Sequence, residues 1–484
     1  MRWLVGVAAV AAAFAVAGCG GTETAGSSSG ASAIVPAGVP AFVSVNTDPD
    51  SSQWKTSDEL ASRFPDKQKA VDAMEKELRK EGFDWEHDLK PALGPEVDLV
   101  WLDFANGGEN IVGLLQPKDD AAFERGVKKA NAKDPSDKAV YEKFRGWTVI
   151  AAKQSLIDRF ERMADTADET LDQDPAFTRA MKSTPDDALA TAYVDGRKAM
   201  DAISREVTRD QRRFVRQLGS LDWATASLAA SSDGIAFDMT VHGTPGKLFG
   251  NAPTGSAFDA QLPDVAPKDT LFYVTFHGTK GLLGGLKDNP AFQSRQLRPF
   301  VDVLGDIGTL LQGENALYVR PSSGSIPEVT LITEPKRGVS GRATLDRILA
   351  KYAADLGVLP TRSTVAGVRA STLSFGQFGI HYADVDGKLV VTDDRAGIAN
   401  VKHPGKPLTS SDTYKDALRT SGMPSRTHGF LYVDIRAGTG LVEKLSGQRL
   451  PAEISRNLKP LRSAVEYAVS RQHQLSVRFF LRVK

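Results

Sequence analysis

The stretch "GIAFDMTVHG", residues 234–243, decides the fold, because its apolar side chains recur at every second position: Ile235, Phe237, Met239 and Val241. Ala236, Asp238 and Thr240 between them are small or polar. That alternation has the period of a β-strand and predicts one buried and one wetter face. It returns at the end of the chain in "QLSVRFFLRV", residues 474–483, where Leu475, Val477, Phe479 and Leu481 hold the corresponding places. Another strand-like run precedes each, "DWATASLAA" and "RSAVEYAVS", across junctions ("SSDG" and "RQHQ") short enough for hairpins. Two antiparallel pairs in matching places point to α+β rather than to a doubly wound parallel sheet.

Working outward, the match extends over the whole body. "PAFVSVNTD" from residue 40 answers to "DTLFYVTFHG" from residue 269, and "ENIVGLLQPK", ending at Lys118, to "PEVTLITEPK", ending at Lys336. "ATAYVDGRKAMD" sets Tyr193, Val194 and Asp195 against Tyr432, Val433 and Asp434 of "GFLYVDIRAGTG". Helices are expected between the strands. Leu345, Ile348, Leu349, Tyr352 and Leu356 share one helical face, as do Phe123, Val127 and Ala130. Thr56 and Glu59 form a capping box for a helix stopped by Pro65, and a longer helix runs from about Lys67 to Glu81, with Gly82 past its end. In the second copy "IHYADVDGKLVV" reads as an extra hairpin turning at Asp386 and Gly387. The expected architecture is α+β with two tandem homologous modules, each a largely antiparallel sheet with packed helices, at 34–243 and 263–484. The Gly- and Pro-rich residues 244–262 read as the linker.

The amino-terminal end has a different character. Arg2 precedes an apolar run from Trp3 to Ala17, the pattern of a secretory signal peptide over residues 1–18. The run is shorter than the roughly 20 residues of a spanning helix. Val16, Ala17 and Gly18 lead to Cys19, the only cysteine, and residues 19–33 have the Gly, Ser, Thr and Ala composition of a flexible tether. Such surroundings cannot bury a thiol, and Val16, Ala17, Gly18 and Cys19 resemble the lipobox of bacterial lipoproteins; that resemblance implies a lipid on Cys19 that fixes the exported chain to the extracytoplasmic side of a cell membrane. With no second thiol, stability rests on packed cores rather than disulfides. The 60 basic and 60 acidic residues balance, which gives no footprint for nucleic acid.

The lipobox-like "VAGC", the "NTDPDSSQW" loop after the first strand, "RFPD", "LKPALGPEVDLVWL" and "AYVD" occur in an order that resembles an uncharacterised family of bacterial envelope lipoproteins classed under a domain of unknown function. The resemblance implies export and a duplicated α+β body, and it brings no substrate, cofactor or catalytic residue.

No catalytic residue and no cofactor is assigned. Gly26, Ser27, Ser28, Ser29 and Gly30 spell a nucleophile elbow, yet in the tether, without the strand and helix that motif requires. The histidines at 87, 242, 277, 381, 403, 428 and 473 have no ligand spacing, and Gly438 and Gly440 lack a third glycine for a dinucleotide fingerprint. Asp48, Asp50, Ser52, Thr56 and Glu59 fall at positions one, three, five, nine and twelve of a calcium loop, but Gln53 occupies the position where the turn wants Gly. Turn and cap roles for these residues are the simpler expectation, and N-caps likewise for Asp195 and Asp434. The leading functional class is therefore a membrane-tethered binding or scaffold protein of the envelope, with a lipid, glycan or protein partner. A carrier of apolar ligands such as lipids, and a hydrolase whose acidic site assembles only in three dimensions, are the alternatives.

Overall fold

The structure, a computed structural model, describes residues 30–206, 219–245, 257–278, 306–308, 310–322, 324, 326–351, 358–376 and 378–484. Cys19, the signal segment and most of the tether lie outside these residues, as do Tyr352 and Leu356. The described chain forms two compact units, the first holding residues up to 206 with 220–243 and 483–484, the second holding 219 and 244–482.

In the first unit the strands are β1 (Ala41–Asn46), β2 (Glu96–Trp101), β3 (Ile111–Leu115), β4 (Val140–Phe144), β5 (Trp147–Ala151), β6 (Ala190–Asp195), β7 (Gly219–Ser231) and β8 (Gly234–Pro245). They pair antiparallel in the order β4-β5-β3-β2-β1-β6-β7, and β7 turns into β8 through Ser232 and Asp233. The helices are α1 (Ser52–Ala61), α2 (Lys67–Lys80), α3 (Asp120–Lys133), α4 (Gln154–Thr166), α5 (Pro175–Met181) and α6 (Gly196–Glu206). Strands β3 and β5 are buried along their whole length, because both sheet faces are covered. On one face α4 and α5 bring Ile157, Phe160 and Phe177 onto Val100, Leu114 and Val149. On the other α3 brings Phe123 and Val127 onto Val97, Leu115 and Ile150.

The second unit contains β9 (Phe258–Asp259), β10 (Phe272–His277), β11 (Glu314–Arg320), β12 (Glu328–Thr333), β13 (Thr361–Val365), β14 (Val368–Phe375), β15 (Phe378–Val385), β16 (Lys388–Thr392), β17 (Arg426–Thr427), β18 (Gly429–Asp434), β19 (Leu461–Arg471) and β20 (Gln474–Val483). Its sheet runs β13-β14-β15-β16-β12-β11-β10-β18-β19-β20, again antiparallel, while β9 pairs with β17. Among the described residues its helices are α7 (Gly341–Lys351), α8 (Arg395–Lys402), α9 (Asp412–Ser421), α10 (Ile435–Ser446) and α11 (Ala452–Leu458). Ile398 of α8 and Tyr414 of α9 pack on Tyr273, Tyr318, Ile332 and Val390. Leu345 and Ile348 of α7 pack on Leu373, Tyr382 and Leu389.

The registers align the two sheets residue by residue. Tyr193 pairs with Phe42 and Tyr432 with Tyr273; one strand further on, Phe42 faces Val100 and Tyr273 faces Tyr318. Thus Val100 corresponds to Tyr318 and, by the next pairings, Val112 to Thr330 and Leu114 to Ile332. An aromatic contact recurs too: Phe177 meets Tyr193 edge-on at 5.1 Å, and Tyr414 meets Tyr432 at 5.1 Å.

Four expectations are corrected. The hairpin turning at Asp386 and Gly387 is not the additional one, because β4 and β5 form its counterpart through Arg145 and Gly146. The additional hairpin is β13–β14, turning at Ala366 and Gly367. All three turns place both central residues at positive φ, the type I′ geometry that matches strand twist. Second, in the period-2 stretches the strands are present but the apolar row is the more exposed side: Phe237 is 45% and Met239 40% exposed, whereas Thr240 and, in β20, Phe480 are buried. Third, the tether is shorter than residues 19–33: Ala31–Ala33 form a 3-10 turn, with Ala31 buried in the core at 1% exposure, since small residues pack in a core as readily as they fill a linker. Fourth, Thr244 and Pro245 belong to β8 and Leu262 is fully buried, so the linker reading over 244–262 holds for neither end.

Candidate functional site

The acidic loop after β1 is organised around a helix start. Asn46 and Asp48 accept the backbone N–H groups of Asp48 and Asp50 at 3.0 and 3.3 Å, so both make Asx turns. The helix begins four residues before Thr56. Its N-cap is Ser51, whose Oγ accepts from the Trp54 N–H, so Thr56 and Glu59 lie within α1 and form no capping box. Trp54 is buried and donates its indole N–H to the Asn46 carbonyl at 2.9 Å. Ser52 hydrogen-bonds Asp187, and Asp48 faces Lys118 at 3.6 Å. Asp48 and Ser52 are thus committed to a turn and to neighbours, Thr56 and Glu59 lie along the helix, and Asp50 Oδ1 is buried without a hydrogen-bond partner among the described residues; no group of three or more acidic, His or Cys residues among the described residues could hold a metal ion. Ser51→Ala should cost the first unit about 1 kcal/mol, while calcium should leave its melting temperature unchanged; urea titration and a thermal scan with and without calcium check both. Asp195 accepts from the Lys198 N–H at 3.1 Å and Asp434 from the Ala437 N–H at 2.9 Å, both at strand-to-helix junctions.

The most developed polar assembly lies in the second unit, and it involves residues that the sequence reading did not single out. Arg320 ends β11 directly opposite Glu328, which begins β12. Glu328 is 1% exposed. Its Oε2 accepts from Arg320 Nη1 at 3.1 Å and from Asn400 Nδ2 at 2.9 Å; its Oε1 accepts from Tyr318 at 3.1 Å, with Thr330 Oγ1 equally close. Thr330 in turn lies 2.9 Å from Thr392 Oγ1. Arg320 uses its remaining side in a two-pronged pair with Asp269, at 2.9 and 2.8 Å. Helix α8 closes over the assembly at Gly397, where a Cβ would fall only 2.8 Å from Thr330 Oγ1. Burial pushes the Glu328 carboxyl above its usual range, outweighing the pull of Arg320 and the hydroxyl and amide donors. The first unit carries Val100, Val112 and Ala151 where this one carries Tyr318, Thr330 and Thr392, so the polar floor is a feature of one unit only.

Above this floor opens a cleft of about 530 Å³, lined among others by Lys268, Asp269, Arg320, Asn400, His403 and Lys406. A second cleft of about 450 Å³ beside it in sequence contains Arg342, Asp384, Asp386 and Lys402. There two of the three cations are answered locally, Arg342 by Asp346 at 2.7 Å and Lys402 by Asp386 at 2.8 Å, and Arg369 is exposed among the acids Asp384 and Asp386. The first cleft therefore has the stronger unmet positive charge.

One buried acid remains in the first unit. Asp98 is 0% exposed, and neither carboxyl oxygen makes a well-formed hydrogen bond among the described residues; the Ser44 hydroxyl, opposite it in the β1–β2 register, favours the charged form only weakly against burial. Burial, then the neighbouring charge of Glu96, raise its pKa well above the ordinary value. Being sealed from solvent, it has no access to a ligand. Its counterpart by register is Ala316. Glu96 plays a structural part, accepting the Ala31 N–H as Glu314 accepts those of Gln261 and Leu262. Each carboxylate thereby ties the first turn of its unit to the sheet.

A family model described as a protein of unknown function (DUF3352) matches residues 2–482. No curated protein matches the chain. Among solved structures, crystal forms IV and III of TP0453 are similar at 16% and 13% identity, with TM-scores of 0.26 and 0.27; each comparison covers 46% of this chain, and 81% and 79% of the other. At these scores the likeness carries no argument about fold or role.

Proposed function

The chain belongs to the DUF3352 family of proteins of unknown function, and from that premise we propose that it is an exported lipoprotein, held at a cell membrane through Cys19, that acts as a binding or scaffold protein of the envelope. The observation that carries the binding role is the cleft over Glu328. Its floor is a set of polar groups that satisfy one another, so Glu328 is held in a fixed hydrogen-bonded position rather than poised to pass a proton, while the rim presents charge to solvent. Such a site is built to recognise. The anchor rests on the signal pattern and on the placing of Cys19 after small residues. No helix among the described residues is long and apolar enough to cross a membrane.

Native mass spectrometry on the mature chain, gently extracted from its own envelope beside a Cys19→Ser form, tests both halves. The expected spectrum shows a lipid-sized increment on the wild type alone and a dissociable mass on both. Equal polypeptide masses for the two forms would remove the anchor, and bare polypeptide in both would remove the stably bound ligand.

A further inference from the structure

We infer that the cleft of the second unit binds a phosphate group, between Lys268, Lys406 and His403; this rests on the binding role proposed above and names the chemistry of the ligand. The warrant is a pair of like charges held together by the backbone. The loops at 266–268 and 406–408 are zipped antiparallel: the Lys268 N–H donates to the Lys406 carbonyl at 2.9 Å, the Leu408 N–H to the Ala266 carbonyl at 2.7 Å, and Pro267 bridges to Pro407. Lys268 and Lys406 therefore stand directly opposite each other, where like charges destabilise a ladder. Both line the cleft and both are exposed. Neither side chain takes part in an ion pair or hydrogen bond among the described residues. A fold gains nothing from that arrangement unless an anion occupies the space between the two ammonium groups.

The first unit supplies an internal comparison. Its corresponding loops are zipped in the same way, the Ala37 N–H donating to the Glu169 carbonyl at 3.0 Å and the Leu171 N–H to the Val35 carbonyl at 2.8 Å. The facing pair there is Ala37 and Glu169. The same backbone device thus carries no positive charge in one unit and two in the other, so the zipper does not itself require lysines. The nature of the anion follows from which donors remain. Arg320, the one guanidinium among the described residues of the cleft, has already committed Nε and Nη2 to Asp269 and Nη1 to Glu328. The planar fork that selects a carboxylate is spent. What is left is two ammonium groups on facing loops and the imidazole of His403 at the end of α8, separate point donors that suit the several oxygens of a tetrahedral phosphate.

The experiment uses the full Cys19→Ser chain and inorganic phosphate, compared with chloride at equal ionic strength. Phosphate should raise the melting temperature and bind saturably by calorimetry. Lys268→Ala should weaken binding about tenfold or more. Lys406→Glu, which installs the acidic residue of the first unit, should abolish binding and raise the ligand-free melting temperature by about 1–4 °C, as attraction replaces repulsion. Chloride giving the same shift, or phosphate binding unchanged in both variants, would overturn the inference. Phosphatidylglycerol vesicles that displace phosphate would locate the group on a lipid head; vesicles that leave it bound would locate it on a soluble or polymeric phosphate compound. A cargo that persists on Lys406→Glu in native mass spectrometry would remove the phosphate site yet leave the binding role standing. Phosphate binding with no native cargo would do the reverse.

Discussion

Replacing Glu328 with alanine should destabilise the second unit by about 3–5 kcal/mol, the cost of leaving a buried charge cluster without one partner. The carboxylate accepts from Arg320, Asn400 and Tyr318; Tyr318 is fully buried and would keep its donor where water does not reach, while Arg320 and Asn400 border the cleft and can turn to solvent. Arg320 retains Asp269, which holds the loss toward the lower end of that range. Glu328→Gln preserves the shape and one carbonyl acceptor, so its cost should be smaller, about 1–3 kcal/mol. The chain offers a way to read the units apart: the tryptophans beyond Trp3 (54, 85, 101, 147 and 223) all precede residue 244. Urea unfolding followed by tryptophan fluorescence reports the first unit; far-ultraviolet dichroism follows both units, so the part of its transition that does not track fluorescence reports the second. A Glu328→Ala transition within about 1 kcal/mol of wild type by dichroism would mean that the network does not hold the cleft floor.

Asp98→Ala should act in the opposite direction and stabilise the first unit at pH 7–8 by about 1–3 kcal/mol, the cost of a buried polar group without a partner. The sign follows from proton linkage. The folded-state pKa of Asp98 lies well above the ordinary value of 3.8. As the pH rises through that ordinary value the unfolded chain releases its proton while the buried carboxyl keeps its own. The unfolded state then binds fewer protons, so stability falls with rising pH until the folded carboxyl ionises as well. Below pH 3.8 both states are protonated, this penalty vanishes, and the small cavity left by alanine should make the variant equal or slightly weaker. Tryptophan-detected unfolding from acid to mildly alkaline pH would show two curves that converge or cross at the acid end. A variant weaker than wild type at the alkaline end would show that Asp98 makes a favourable interaction instead. The sheet accommodates alanine at the corresponding position, Ala316, which is fully buried.

Much of the framework was legible in the residues. The pairings of Tyr193 with Tyr432 and of Lys118 with Lys336 were visible as motifs, and the registers carry them through both sheets without an offset. Helix α2 carries Val71, Met74 and Leu78 on one side, buries Leu78 and stops at Lys80 before Gly82. Helix α1 starts earlier than its box suggested because Ser51 can cap as well as Thr56, and a cap is chosen by where the chain turns. The site was the least legible part. Arg320 and Glu328 are ordinary strand-end residues until the register sets them face to face, and Lys268 and Lys406 are 138 positions apart in the chain.

By itself the sequence determined the elements and their order, since side-chain period, caps and turn residues act within a few neighbours. It also placed the single thiol beside a leader-like segment. Only the tertiary structure decided which side of a strand is covered, because alternation gives a strand two faces and the packed helices choose between them; Phe237 and Met239 lie on the less covered one. It likewise decided which charges meet. An ion cluster or a pair of opposed lysines depends on inter-strand register, which backbone hydrogen bonds fix between segments that share no local signal.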